Sequence, residues 1–167
     1  MRELYRFYRK KKITDPGIYV AHDALGELGR ELSAIVAPIN EFALFGSATL
    51  VLRGVINRPI GDIDLFCSKA IWGKLLPRPR WTVLTPKAGD PPILSMTAHG
   101  IECHAFFAWS DPAVEIDVPK LIAESEIVNG WPCATLKEVL RHKVAASEKI
   151  GPGNKHEEDI EMIEARL

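Results

Sequence analysis

The chain has 167 residues, of which 47% are hydrophobic and 26% are charged, and its formal net charge is −1. This length and composition fit one globular domain, and the charge excludes the strong positive balance of a dedicated nucleic-acid-binding protein. No apolar run approaches the roughly 20 residues that span a bilayer, and the basic start lacks the apolar core of a secretory signal, so we expect a cytoplasmic protein.

Hydrophobic periodicity and turn residues predict helices and strands in a mixed order. In chain order these are a helix at 21–36, a strand at 41–45, a helix at 50–53, a strand at 62–66, a helix at 71–76, strands at 81–85, 93–97 and 101–109, and helices at 119–125, 135–150 and 155–167. The sequence therefore predicts an α+β fold with a mixed sheet in the first two thirds and helices at the end. We expect one domain over 1–167, with a core of about 21–115 and a helical part of about 118–167.

Several local signals refine these elements. The cationic run from Arg9 to Lys12 indicates either a solvated face or a contact with a phosphate backbone. Ser47 is placed to cap the helix that runs through Leu50 to Arg53. Thr135 and Glu138 have the spacing of a capping box. The three cysteines are too few and too scattered for a disulfide framework or a zinc site, so we expect free thiols.

The segment "DIDLF" raises the main chemical question. Residues two apart on a strand point to one face, so Asp62 and Asp64 project together while the residues between them enter the core. Two neighbouring carboxylates repel each other and need compensation. Mg²⁺ binds one or two carboxylates together with waters and substrate phosphates, so the pair predicts a magnesium site.

A Gly-Ser pair lies upstream, between a predicted strand and a predicted helix. Gly46 lets a phosphate approach the backbone, and a helix start offers free N–H groups to an anion. Phosphate binding beside a metal is the layout of a site that transfers part of a nucleoside triphosphate.

The stretch "FGSATLVLRGVINRPIGDIDLF" resembles the Gly-Ser and Asp-x-Asp motif of the DNA polymerase beta-like nucleotidyltransferase superfamily. Within it, the sequence is most similar to minimal nucleotidyltransferases of the abortive-infection (AbiEii-like) type IV toxin kind. Arg58-Pro59-Ile60 resembles their Arg-Pro-Thr, "WPCATLKEVLRHKVAAS" resembles their lysine-bearing helix, and "KHEEDI" resembles their Lys-Asp-x-x-Asp-Ile. The resemblance covers roughly Phe42 to the C-terminus.

The resemblance implies a nucleotidyltransferase fold and a role for each matched residue. The Asp62 and Asp64 pair would bind two Mg²⁺. Lys143 and Asp159 would help to position the nucleotide or its phosphates. The implied nucleotide-binding residues are Gly46, Ser47, Arg58 and Lys143.

The sequence departs from the family pattern at the third acidic position. Counted from Gly100, that position is His104, and Glu102 lies two residues earlier on the same strand face. Either Glu102 completes the metal site, or His104 replaces the carboxylate and favours a softer ion such as Mn²⁺. Either residue can act as the general base. His156 also replaces a family aspartate. The catalytic candidates are Asp62, Asp64, Glu102, His104, Lys143 and Asp159, and the metal candidates are Asp62, Asp64 and Glu102.

These features predict an enzyme that moves a nucleoside monophosphate from a nucleoside triphosphate to a hydroxyl-bearing acceptor. The acceptor is a tRNA end, a protein or a small molecule, and a toxin of this kind would have an antitoxin-like partner. The alternative is a catalytically degenerate module that keeps the fold and binds a nucleotide or a partner.

Overall fold

A computed structural model describes residues 16–85, 87–111 and 114–167. The cationic run from Arg9 to Lys12 lies outside the described residues, so both interpretations of it stay predictions. None of the helices within these ranges is long and apolar enough to cross a membrane.

Helices and strands alternate along the chain. The helices are α1 (Pro16–Ala34), α2 (Gly46–Leu52), α3 (Lys69–Leu75), α4 (Val118–Ala123), α5 (Leu136–Ile150) and α6 (Lys155–Glu164), with a 3₁₀ turn at Ile39–Glu41. The strands are β1 (Phe42–Phe45), β2 (Asp62–Cys67), β3 (Thr82–Leu84), β4 (Ile93–Ala98), β5 (Ile101–Phe106), β6 (Glu126–Val128) and β7 (Trp131–Cys133).

The strands form one mixed sheet in the order β3-β4-β5-β2-β1-β7-β6. Strand β2 is central, antiparallel to β1 and parallel to β5. Its core-facing residues Ile63 and Leu65 are fully buried. Helix α1 packs on β4 and β5, α4 packs on β1 and β2, and α5 packs on α6. The predicted α+β fold with a mixed sheet and flanking helices is confirmed.

The prediction that only helices follow residue 118 is wrong. A hairpin of β6 and β7 interrupts the helices, and β7 extends the sheet by pairing in parallel with β1. Asn129 and Gly130, with φ of 50° and 82°, form its two-residue connection. Asn-Gly is a strong hairpin signal because both residues tolerate positive φ. The Asn129-Gly130 dipeptide therefore predicts a hairpin here, against the helical pattern of the residues around it.

Three local predictions also need correction. Helix α2 begins at Gly46 and has no side-chain cap, so Ser47 lies inside the helix and does not cap it. Strand β5 ends at Phe106, the last residue that pairs with β2, and does not reach Trp109. The amide of Glu138 donates to Thr135 Oγ1 over 3.2 Å, as predicted, but the Glu138 carboxylate accepts from Arg141 instead of returning to the cap.

Helix α1 ends in an unusual way. Val36 has φ of 52°, and its N–H donates to the Ser33 carbonyl while that of Ala37 donates to the Leu32 carbonyl, each over 3.0 Å. This pair of hydrogen bonds is a Schellman motif, whose left-handed residue is usually glycine. A β-branched residue is strained there.

Candidate active site

Strand β2 presents two carboxylates on one face. Asp62 and Asp64 alternate with fully buried apolar residues, so the predicted polar face and core face are confirmed. The Asp64 side chain remains 29% exposed. The parallel strand β5 pairs Asp62 with Glu102 and Asp64 with His104. The structure therefore brings all four of these predicted site residues together.

His104 lies between two acidic side chains. Its Nδ1 is 3.7 Å from Asp64 Oδ1, and its Nε2 is 3.3 Å from Glu102 Oε2. The interaction with Asp64 is the main influence on His104 and raises the pKa of its imidazole, although burial opposes the shift. Burial is the main influence on Asp64 and raises its pKa, while His104 and Lys143 oppose it. His104 therefore pairs with Asp64 across the two strands, at the position where the resemblance implies a third carboxylate.

Gly46 joins the end of β1 to the site. Phe45, the residue before it, pairs directly with Asp64 across the two strands. Gly46 has φ of 63°, and a Cβ atom added to it would lie 3.4 Å from Asp64 Oδ2. The hydroxyl of Thr49 donates to the Gly46 carbonyl over 2.7 Å and fixes this bend. The backbone of Gly46 and the carboxylate of Asp64 are therefore direct neighbours.

Lys143, Asp159 and Arg58 form a group of paired charges near Asp64. Lys143 Nζ lies 2.7 Å from Asp159 Oδ2, and the two side chains are 6% and 0% exposed. Arg58 Nη2 donates to both Asp159 oxygens over 2.6 and 2.7 Å, and Arg58 Nη1 donates to the Pro59 carbonyl over 3.2 Å. Burial alone would raise the pKa of Asp159, but the hydrogen bonds from Lys143 and Arg58 outweigh it and lower the pKa.

This arrangement decides what Asp159 can do. Asp159 is fully buried while Glu157, Glu158 and Glu161 are exposed, so it does not belong to a solvated acidic face with them. Asp159 has no surface with which to touch a substrate. It instead pairs with the cations of Lys143 and Arg58. Lys143 lies close enough to Asp64 for its charge to act on that carboxylate.

The sequence did not identify an aromatic wall on the same side of the sheet. We use this name for Phe45, Phe66, Phe106, Trp109 and His142. The rings of Phe45 and Phe66 lie 5.4 Å apart, those of Phe66 and Trp109 5.8 Å, and those of Trp109 and His142 5.8 Å. Two of its members, Phe66 and Phe106, follow the site residues at the strand period of two, which is the signal that could have revealed it.

The carboxylate pair fits a hard divalent cation. Within the described ranges, Asp62 has no hydrogen bond or ion pair, and its charge is a further influence that raises the pKa of Asp64. A cation would relieve this repulsion. No group of three or more His, Cys, Asp or Glu side chains in the described ranges is arranged to hold one metal ion. The protein thus offers two carboxylates, and an ion there would take its other ligands from water and substrate.

No family model and no curated protein matches this chain. Among solved structures, it is similar to a crystal structure of ANT(2″)-Ia, an aminoglycoside nucleotidyltransferase, in complex with adenylyl-2″-tobramycin. The match has a TM-score of 0.55 and 18% sequence identity, and it covers 90% of this chain and 88% of that one. This chain has the nucleotidyltransferase fold. The narrower resemblance to abortive-infection toxins stays a prediction.

Proposed function

We propose that this protein is a metal-dependent nucleotidyltransferase that moves a nucleoside monophosphate from a nucleoside triphosphate to a hydroxyl-bearing acceptor. The observation that carries the proposal is the closeness of the Gly46 backbone to the Asp64 carboxylate, since a Cβ atom added to Gly46 would lie 3.4 Å from Asp64 Oδ2. It puts a backbone that a phosphate can approach beside two carboxylates on one strand face. The nucleotidyltransferase fold of the chain supports the same function.

At the α-phosphorus, the proposed reaction forms one bond and breaks one, and the proton of the acceptor hydroxyl passes to a base. The acceptor hydroxyl oxygen bonds to the α-phosphorus, the bond between that phosphorus and the bridging oxygen to the β-phosphate breaks, and pyrophosphate leaves with the electron pair. Mg²⁺ or Mn²⁺ held by Asp62 and Asp64 would neutralise the phosphate charge. The first turn of α2 has no side-chain cap, so Gly46 and Ser47 can offer backbone N–H groups to a phosphate oxygen.

The acceptor proton needs a base, and geometry favours Glu102 over His104. The Glu102 side chain is 64% exposed and can reach an incoming hydroxyl, whereas His104 is 19% exposed and is engaged by two carboxylates. His104 then orients Asp64 and Glu102. Lys143 supplies positive charge close to Asp64, and Asp159 and Arg58 hold it there.

We propose a small molecule as the first acceptor to test. The similar solved structure holds an adenylyl group joined to tobramycin, and the net charge of −1 does not favour a large RNA contact. A tRNA end and a protein side chain stay in the test as alternatives, as does an antitoxin-like partner.

The second candidate function is a nucleotide-binding or partner-binding module without catalysis. The observation that favours it is His104 at the level of Asp64, where a third carboxylate is expected. Such a module would bind a nucleoside triphosphate but would not transfer it.

The test is transfer of label from each α-³²P nucleoside triphosphate in turn, with Mg²⁺ or Mn²⁺. The acceptors are a small-molecule panel, total tRNA and the protein itself. We expect wild-type transfer to be lost in Asp62→Asn/Asp64→Asn and retained in the matched control Asp23→Asn, which is exposed on α1. Metal-dependent binding without transfer would favour the non-catalytic module. If the wild-type protein neither binds nor transfers any nucleotide, the proposed site is refuted.

The two candidate bases are separated by Glu102→Gln and His104→Gln. If Glu102 accepts the proton, Glu102→Gln lowers kcat by about 10²-fold or more and leaves the Kd for the nucleotide unchanged. The loss of kcat in His104→Gln should be smaller. The reverse order would assign the base to His104.

A further inference from the structure

This chain does not reproduce the third acidic position that the resemblance implies. Strand β5 pairs Asp64 with His104, where that position would place a carboxylate. The resemblance also implies two Mg²⁺, and two-metal sites hold their ions about 3.5–4 Å apart. A second ion at this spacing would need room and anionic ligands beside Asp62 and Asp64.

The His104 ring takes up the room beside Asp64. Its Nδ1 lies 3.7 Å from Asp64 Oδ1, and its Nε2 lies 3.3 Å from Glu102 Oε2. The ring also packs edge-on against Phe106, with 6.1 Å between the ring centres. A cation that bridged the carboxylates of Asp64 and Glu102 would need the space in which this imidazole lies.

Glu102 does not supply the missing ligand. It pairs with Asp62 across the two strands, but its carboxylate oxygen faces His104. Throughout 16–85, 87–111 and 114–167, no three or more His, Cys, Asp or Glu side chains are arranged to hold one metal ion. The anionic ligands that these ranges offer a cation here are therefore the two aspartates.

The charges at the site also match one ion better than two. The two aspartates carry two negative charges, which balance one divalent cation. Two such cations at about 4 Å repel each other, and an imidazole has no negative charge in either of its protonation forms to offset that repulsion. The phosphates of the nucleotide contribute equally whether the third position holds a carboxylate or an imidazole, so this position decides the balance. The charge of Lys143 already acts on Asp64, and a second cation would add to it.

We infer that the protein holds one divalent cation, at Asp62 and Asp64 together with the nucleotide phosphates, and that the His104 ring takes the place of the second. This inference rests on the proposed function, since it concerns the metal of that same site. With no second cation beside the acceptor, removal of the proton from the acceptor hydroxyl depends on the protein base.

The experiment counts the Mn²⁺ bound to the protein together with α,β-methylene analogues of the nucleoside triphosphates, which cannot transfer their nucleoside monophosphate. The protein is in excess, and electron paramagnetic resonance reports both the free Mn²⁺ and any spin coupling between two bound ions about 3.5–4 Å apart. We expect one uncoupled ion per bound nucleotide in the wild type and two coupled ions in His104→Asp, which supplies the missing carboxylate. His99→Asp is the matched control, because it makes the same change beside Glu27 of α1, and it should keep one ion.

A coupled pair of ions in the wild type would overturn the inference. This measurement needs no variant, so it decides the matter even where His104→Asp fails to fold. One ion in both the wild type and a folded His104→Asp would also overturn it, because His104 would then not be what excludes the second ion. Failure of the proposed function is distinguishable, since the wild type would then bind neither Mn²⁺ nor the analogues, and the inference would fall with it.

Discussion

Asp159 is the buried anion that two cations share, and Asp159→Asn removes its charge with little change in shape. Lys143, at 6% exposure, would then lose its hydrogen-bonded counter-ion inside the protein, whereas Arg58, at 32% exposure, can turn its charge toward water. Removing one partner of a buried ion pair costs about 3–5 kcal/mol. Because only one of the two cations is trapped, we expect a value near the lower end, about 3 kcal/mol.

The assay is thermal and urea unfolding at neutral pH. A loss of about 3 kcal/mol corresponds to a fall in Tm of roughly 6–12 °C for a chain of this size. Glu158→Gln, one residue earlier on α6 and exposed, is the matched control and should leave Tm within about 2 °C. A further variant tests the cause. Asp159→Leu combined with Lys143→Met replaces the trapped charges with apolar groups and should recover most of the loss.

Two results would refute this reasoning. A Tm for Asp159→Asn as high as that of the wild type would mean that the Lys143 charge is solvated in the folded state. No recovery in the double variant would mean that Asp159 acts through packing instead of charge.

Three other predictions concern single positions. Gly46→Ala forces a side chain into a left-handed conformation beside Asp64. It should lower the free energy of unfolding, measured in urea, by about 1–2 kcal/mol and weaken nucleotide binding. The control Gly26→Ala has open space around it and should raise the free energy of unfolding by up to about 1 kcal/mol. Val36→Gly relieves a strained residue that is 80% exposed and should raise the free energy of unfolding by about 1 kcal/mol, and an unchanged or lower value would contradict the strain. The pKa of His142 is lowered from 6.5 to about 4, mainly by burial. The unfolded chain therefore binds its proton more tightly, and stability is full above pH 6.5 and falls by up to about 3 kcal/mol as the pH drops to 4. His142→Phe should flatten this part of a pH series of urea unfolding curves.

The sequence predicted correctly those helices and strands that are set by residues close together in the chain. The alternation of Asp62 and Asp64 with apolar residues fixed both the strand and its polar face, because the side-chain period of a strand is two. Thr135 fixed the start of α5 through a hydrogen bond that spans three residues. Arg58, Lys143 and Asp159 were named as site residues from the resemblance alone.

Only the tertiary structure shows which of these residues meet. Asp159 and Arg58 are 101 positions apart in the chain, and no local pattern shows that they meet or that one of them is sealed from water. The pairing of β7 with β1, and of His104 with Asp64, depends on the strand order of the sheet. The choice between Glu102 and His104 as the base stayed open in the sequence because both lie on one strand face. The tertiary structure supplies the distances and exposed fractions on which we base the proposal of Glu102.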